Sequence, residues 1–226
     1  MYFPHPLNAN DDGLLAAGGD LSPDRLILAY RMGIFPWYSE GQPILWWAPR
    51  DRFVIDVGHL HIPKSMRRYL NNPIFKLTAD LHFDYMIEKC QQIPRPGQSG
   101  TWITDDMKKA YLDLHQEGVA HSVEVWYDNE IVGGLYGVSV GKIFSGESMF
   151  SEISDASKFG AIILDRILTA LEYQFIDCQH YSRHMELLGG YSMDQKMYFD
   201  VIRRNLYNPL VRSKWSGELI PEKFRK

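Results

Sequence analysis

Cysteine is scarce in this chain of 226 residues, which carries only Cys90 and Cys178. Two thiols so far apart exclude a disulfide-stapled scaffold and a zinc knuckle, and reduced thiols fit a cytoplasmic protein. Long apolar runs are missing as well: none approaches the ~18 residues of a membrane-spanning helix. The start, Met1-Tyr-Phe-Pro-His-Pro6, has neither the basic beginning nor the apolar stretch of a signal peptide. A soluble, cytoplasmic chain with no membrane partner is expected. Repeats and low-complexity tracts are absent. Positive charge is in deficit, and the net charge of −4 argues mildly against a nucleic-acid binder, although distribution matters more than the sum.

What is present is ordinary globular composition, 45% hydrophobic and 23% charged, with length enough for one large domain or two small ones around a sizeable core. The basic residues are unevenly placed. Lys64, Arg67, Arg68 and Lys76 occur between Pro63 and Lys76 with no acid among them. A second group, Arg203, Arg204, Arg212, Lys214, Lys223, Arg225 and Lys226, faces only Glu218 and Glu222. Such patches can hold phosphates locally, and charge alone reads equally as solvated helix faces.

Ser22-Pro23 places an N-cap and a proline at the first helical position, and Gly33 closes the helix that follows. The aromatic, proline-broken segments Ile34 to Tyr38 and Ile44 to Pro49 suit edge strands and packed loops. A boundary near residue 60 then divides the chain into a small N-terminal domain, 1–60, and a larger one, 61–226. In the second part Thr104 caps a helix with Asp105 and Asp106 in its first turn and Gly118 as its stop. Ser122 to Tyr127 alternates, Asp128-Asn129 supplies a hairpin turn, and Ile131 to Val138 returns. A strand over roughly Gly141 to Ser145 leads into Gly146-Glu-Ser148. Ser154 or Asp155 caps a long helix with an apolar stripe, and Gln174 to Gln179 reads as a buried strand.

Hairpin, strand, long helix, strand is the order of an acyltransferase-like α/β sheet with a V-shaped split between strands. Glu147 ends one of these strands and Asp177 lies in the next, so both acids are expected at the end of the sheet where open α/β folds place ligands. Two carboxylates there predict a negative pocket that attracts a cation. Rival chemistries are weaker. Gly146-Glu-Ser-Met-Phe150 lacks the second glycine of a nucleophile elbow at Ser148. Cys178 reads as a buried, inert thiol, and His180 with His184 has no third metal ligand.

Nine ordered blocks carry a resemblance: Asp12-Gly-Leu-Leu-Ala-Ala-Gly-Gly-Asp-Leu-Ser-Pro23, Gly33-Ile-Phe-Pro-Trp-Tyr38, Pro43-Ile-Leu-Trp-Trp47, Gly100-Thr-Trp-Ile-Thr104, His121-Ser-Val-Glu-Val-Trp126, Gly133-Gly-Leu-Tyr-Gly137, Gly146-Glu-Ser-Met-Phe-Ser151, Asp155-Ala-Ser-Lys158 and Ile176-Asp-Cys-Gln179. Over about residues 3 to 200 the chain resembles the bacterial leucyl/phenylalanyl-tRNA–protein transferases. The resemblance implies an α+β protein, with a small N-terminal α/β domain followed by a GNAT-like acyltransferase domain built on a mixed, mainly antiparallel sheet. It also implies transfer of leucine or phenylalanine, with methionine as a further donor, from aminoacyl-tRNA to an N-terminal Arg or Lys, which marks the product for the N-degron route. No metal and no small-molecule cofactor is implied, because the tRNA ester is already activated, and a monomer is expected.

Carried over residue by residue, the resemblance puts Asp177 and Gln179 at the reaction centre, with Asp177 orienting the acceptor's α-amine; Glu147, read from the two-acid pocket, completes the catalytic group. It places Leu135, Phe144, Ala161, Leu164, Leu168 and Ile176 around the donor side chain, and Trp37 and Trp102 against the aminoacyl-adenosine end. Lys64, Arg67 and Arg68 would hold acceptor-stem phosphates. The run His180-Tyr-Ser-Arg-His184 departs from the Asn or Thr-Pro that relatives commonly carry, which bears on Ser182 as a substrate contact.

Overall fold

The computed structural model describes residues 2–71, 74–93 and 101–215 and the backbone of Gly217–Leu219. Gly100, Glu222, Lys223, Arg225 and Lys226, which the sequence reading names, lie outside the described residues, as does the side chain of Glu218.

The N-terminal part holds β1 (Leu14–Ala17), α1 (Pro23–Arg31), β2 (Phe35–Pro36) and β3 (Leu45–Trp47), whose three strands form a small antiparallel sheet in the order β1-β3-β2. Helix α1 starts at Pro23 as expected, but the Ser22 hydroxyl turns to the Asp20 carboxylate at 2.5 Å and does not cap the helix. Gly33, at φ +72°, ends it in the left-handed conformation that a side chain would resist.

The rest comprises β4 (Asp51–Asp56), α2 (Lys64–Asn71), β5 (Lys76–Ala79), α3 (Phe83–Gln92), α4 (Asp105–Gln116), β6 (Ala120–Tyr127), β7 (Glu130–Val140), β8 (Ile143–Ser151), α5 (Ala156–Ala170), β9 (Phe175–Gln179), α6 (Arg183–Leu187), β10 (Tyr191–Asp194), α7 (Gln195–Asn205) and β11 (Gly217–Leu219). They build a mixed α+β layer around an eight-stranded sheet ordered β10-β4-β9-β8-β7-β6-β5-β11. Strand β4 falls on the N-terminal side of the boundary expected near residue 60, yet it pairs with β9 and β10 inside this sheet.

Local chemistry explains the central elements. The Thr104 hydroxyl accepts the Met107 N–H at 3.2 Å and starts α4. Asp128 and Asn129 both take positive φ, +51° and +64°, the geometry of a two-residue hairpin turn matched to strand twist. Strand β7 alternates between two cores: Leu135 packs with Phe159, Ile163 and Leu164 of α5, whereas Tyr136 and Val138 pack with Met86, Tyr111 and Leu114 of α3 and α4. The sheet is therefore covered on both faces. Gly134, at φ +149°, brings the β7 backbone so near β6 that an added Cβ would collide with the Val123 carbonyl oxygen. Gly134→Ala is expected to destabilise the protein by about 1–3 kcal/mol, the usual cost of forcing atoms into a filled core. A urea melt with an unchanged midpoint would contradict this packing.

The β8–β9 pair positions the site. It is the parallel pair of the sheet, joined by the α5 crossover, and its register covers only Ile143↔Phe175, Phe144↔Ile176 and Ser145↔Asp177. Strand β8 continues along β7 to Ser151, so beyond Ser145 the neighbours β8 and β9 separate. The expected split exists at this point, but β8 does not end there. Glu147 is not at a strand terminus; it is the extra residue of a β-bulge, flanked by the pairs Gly137↔Gly146 and Tyr136↔Ser148. A bulge leaves one residue unpaired and re-aims its side chain.

Candidate active site

Three elements deliver polar groups to the bulge. Tyr30 from the last turn of α1 donates to Glu147 Oε1 at 2.7 Å, and Tyr111 from α4 donates to Oε2 at 2.8 Å. Gln179 Nε2, at the end of β9, donates to Oε1 at 2.7 Å. The two phenol oxygens are themselves 2.7 Å apart. Three short contacts thus link the two hydroxyls and the carboxyl, and the phenols supply only two protons. With Glu147 ionised both phenols donate to it and no proton is left for the contact between them; a proton on Glu147 Oε2 donates to Tyr111, which then donates to Tyr30, and the ring closes. Burial, opposed by the tyrosine hydrogen bonds and helped by the charge of Asp177, raises the Glu147 pKa to about 7.

Asp177 sits differently. It is fully buried, and Arg52 clasps it with both Nε–Oδ1 at 2.8 Å and an NH2–Oδ2 contact at 2.7 Å. Its remaining acceptor positions take the Tyr198 hydroxyl at 2.7 Å and the Gln179 backbone N–H at 2.9 Å. Arg52 also donates to the Gly33 carbonyl at 3.1 Å and lies between the rings of Phe35 and Tyr198, 4.8 Å from each centroid. The expected pocket of two open carboxylates is corrected here. A saturated, neutralised carboxylate has no free lone pair for an incoming ammonium, and Glu147 alone of the two acids borders the cavities described below.

Gln179 is held in an uncommon conformation. Its φ is +64°, and the His180 N–H reaches back to the Cys178 carbonyl at 2.7 Å, closing a three-residue turn. A glutamine at such an angle costs on the order of 1–3 kcal/mol and persists because neighbours over-determine it. Those neighbours are Asp177, which accepts its N–H, and Glu147, which accepts its amide.

On one side of Glu147 lies an apolar cavity of about 470 Å³, walled by Leu135, Phe144, Ala161, Leu164 and Ile176 with Ser182 on its rim. Leu168 was expected on this wall but is buried in the α5 core one helical turn beyond Leu164 and does not line the cavity. On the other side a compartment of about 150 Å³ is bounded by Trp37, Trp102, Gln179 and His180. Both tryptophans are shared with a wider hollow of about 820 Å³. Burial pushes the Cys178 thiol pKa well up, as an inert cysteine requires. Ser148 lies within β8 opposite Tyr136, next to the bulge, and not on a strand-to-helix elbow.

Helix α2 presents Lys64, Arg67 and Arg68 to solvent and packs through Met66 and Leu70. Among the described residues no acid lies within ion-pair distance of these three, whereas Arg203 is paired with Asp200 at 3.3 Å and Arg212 with Glu117. The first basic patch is free charge. In the described part of the second, Arg203 and Arg212 are paired while Arg204 and Lys214 have no described acid within ion-pair distance.

Spacing alone missed Arg52, Tyr30, Tyr111 and Tyr198. One signal was available: Arg52 occupies a strand position on the same side as buried Val54, and an inward guanidinium demands a buried anion. The tyrosines read as ordinary apolar contacts until a partner for each hydroxyl is sought.

Family comparison settles the class. Residues 19–50 match the model of the leucyl/phenylalanyl-tRNA protein transferase N-terminal domain, and residues 54–203 match that of the leucyl/phenylalanyl-tRNA protein transferase itself. The chain belongs to this family. It is 51% identical over 216 residues to the leucyl/phenylalanyl-tRNA–protein transferase of Syntrophus aciditrophicus, covering 96% of this chain and 90% of the relative. It is 50% identical to that of Flavobacterium johnsoniae over 203 residues, covering 90% and 96%. The Christiangramia forsetii transferase is 52% identical over 204 residues, covering 86% and 96%. As a transferase of this family the chain is an aminoacyltransferase enzyme. The break between the two matched segments, residues 51–53, falls in the first half of β4, where the small sheet gives way to the large one.

Proposed function

We propose that the chain transfers leucine or phenylalanine, with methionine as a further donor, from aminoacyl-tRNA to the N-terminal Arg or Lys of acceptor proteins, creating an N-degron signal. The observation that carries the proposal is the place of Glu147, on the wall shared by an apolar slot and a tryptophan-lined compartment. The slot suits an unbranched-at-β apolar side chain, and Trp37 and Trp102 offer faces for the terminal adenine, each base stack contributing about 1–3 kcal/mol. The ester between side chain and nucleotide then falls beside Glu147 and Gln179. No metal or cofactor enters this scheme, and the chain acts as a cytoplasmic monomer. The large sheet, with its split parallel pair, fits a GNAT-like assignment.

The chemistry follows from these positions. The α-amine attacks the ester carbonyl, a C–N bond forms, the C–O bond to the ribose breaks, and the ribose oxygen leaves with a proton. Glu147 takes the proton lost by the amine. An α-amine with a pKa of about 7.7–8.0 and a carboxyl near 7 are matched closely enough for efficient transfer. A cationic terminus beside Glu147 favours its ionised form, so a basic acceptor arms its own base. The second Gln179 amide hydrogen is free to meet the developing oxyanion. Asp177 acts through others: with Arg52 it fixes the backbone of Gln179.

An assay of radiolabelled phenylalanyl-tRNA with peptides beginning in Arg, Lys or Glu tests the reading. Label on the first two peptides only is expected; retention of all label on tRNA would make the chain a binder. Enlarging Ala161 to leucine narrows the slot and is expected to lower phenylalanine use roughly tenfold more than leucine use, within the ~1–3 kcal/mol that a methylene or two can discriminate. Competition between the two charged tRNAs measures that ratio. Removing Arg67 and Arg68 together is expected to weaken tRNA binding similarly for all sequences. It should also flatten the plot of log K against log salt by about 1 to 2 units, one per lost phosphate contact.

A further inference from the structure

After α7 the chain returns to the large sheet as a strap. The Ser213 N–H donates to the Gly118 carbonyl at 3.2 Å, and β11 pairs with β5. Between these two ties Trp215 is pinned by backbone and ring alike. Its N–H donates to Asp80 Oδ2 at 2.6 Å, the oxygen that also lies 2.8 Å from His121 Nδ1. Its indole stacks on the His121 ring, with centroids 4.1 Å apart and planes 2° apart. The indole also stacks against Phe144, with centroids 5.8 Å apart. Phe144 walls the apolar slot, whereas Trp215 lines a separate hollow of about 540 Å³ together with Ile167 and Tyr173. We infer that Trp215 is a positioning residue for donor choice: by backing Phe144 it sets how long an apolar side chain the slot accepts. The inference rests on the donor reading above.

Packing makes Phe144 the route. A Cβ added at Gly137 would lie 2.6 Å from two atoms of the Phe144 ring, so the ring rests on bare strand backbone and has no room to move toward β7. In a close-packed interior a ring shifts only when a void opens beside it. Loss of the indole opens one, next to the hollow that Trp215 now lines, and surrounding groups relax into such a space in part. Phe144 then yields when a long donor side chain presses on it. Leucine, the shorter donor, gains little from a deeper slot, and phenylalanine gains more. The anchor explains why the wall is firm in the intact protein. Asp80 is buried, and its other oxygen accepts the Ser122 N–H of β6 at 2.9 Å, so Trp215 is fixed to the sheet itself.

The test is a competition between leucyl-tRNA and phenylalanyl-tRNA in one reaction for a peptide beginning in Arg. It reports a ratio of kcat/KM values, from which the amount of folded enzyme cancels. Trp215→Ala is expected to raise phenylalanine over leucine about three- to tenfold relative to wild type, at or below what a single methylene discriminates in an apolar pocket. Trp215→Phe keeps a ring against Phe144 and should stay within about twofold of wild type. Glu117→Gln breaks the ion pair with Arg212, loosening the same strap without touching the indole, and should leave the ratio unchanged. A ratio that is unchanged or lowered in Trp215→Ala overturns the role of Trp215 and leaves the transfer reading standing. An equal rise in Glu117→Gln does the same, because any loosening of the strap would then suffice. Wild-type enzyme that leaves both amino acids on their tRNAs overturns both readings. Should Trp215→Ala melt below the assay temperature, Trp215→Leu, which also removes the ring, decides by the same ratio.

Discussion

Glu147→Gln is expected to lower kcat/KM for peptide transfer by about 10²- to 10⁴-fold, the span that a positioned general base contributes, with little change in the affinity for charged tRNA. The side chain keeps its length, and the apolar slot and the tryptophan compartment on either side remain. What disappears is the group that titrates. Burial holds this carboxyl near pH 7, so in the wild type the active, ionised form is lost as pH falls through about 7. Below that point the wild-type rate should lose an additional factor of about ten per pH unit relative to the variant, because the variant has no such group to protonate. Taking the ratio of the two rates cancels the titration of the acceptor amine. Single-turnover rates between pH 5.5 and pH 8.5 would show it, and a constant ratio across that range would remove Glu147 from the proton transfer.

Arg52→Met is expected to be the most destabilising change at the site. It leaves Asp177, 0% exposed, as a buried anion with only the Tyr198 hydroxyl and a backbone N–H for company. Breaking a buried pair in this way costs about 3–5 kcal/mol. For a chain of this size, that corresponds to a fall in Tm of roughly 6–20 °C. Arg52→Met combined with Asp177→Leu removes both charges and should recover most of the loss in stability. Transfer should nevertheless stay low, because the Gln179 N–H has lost its acceptor and the strained turn loses its hold. Asp177→Asn separates this role from that of a base: activity drops, yet the limb near pH 7 persists, since Glu147 still supplies it. Arg52→Met melting within about 2 °C of wild type would show that the pair does not hold the site together.

Local patterns carried the fold a long way. Thr104, the Asp128-Asn129 turn and the Pro23 start of α1 each act through neighbours within a few residues, and each appears where its chemistry predicts. Strand β8 was read too short because Gly146-Glu147-Ser148 resembles a turn when only its own residues are considered. The long ladder with β7 keeps it extended to Ser151 and turns the irregularity into a bulge. The site was legible in its residues but not in their pairing. Arg52 and Asp177 are 125 positions apart, and Tyr30 and Glu147 are 117 apart. No spacing rule links such pairs; they meet because β4 lies beside β9 and because α1 reaches the bulge. Two acids on adjacent strands therefore suggested a shared anionic pocket, while a buried guanidinium from a third strand had already claimed one of them.

The central claim is that Glu147 carries a proton up to near neutrality within its ring of tyrosines. Infrared difference titration of the carboxyl C=O band measures this directly. The account predicts a buried carboxyl with a midpoint near pH 7 in wild type, absent from Glu147→Gln. A wild-type spectrum in which every carboxyl is already ionised by about pH 5 would contradict it.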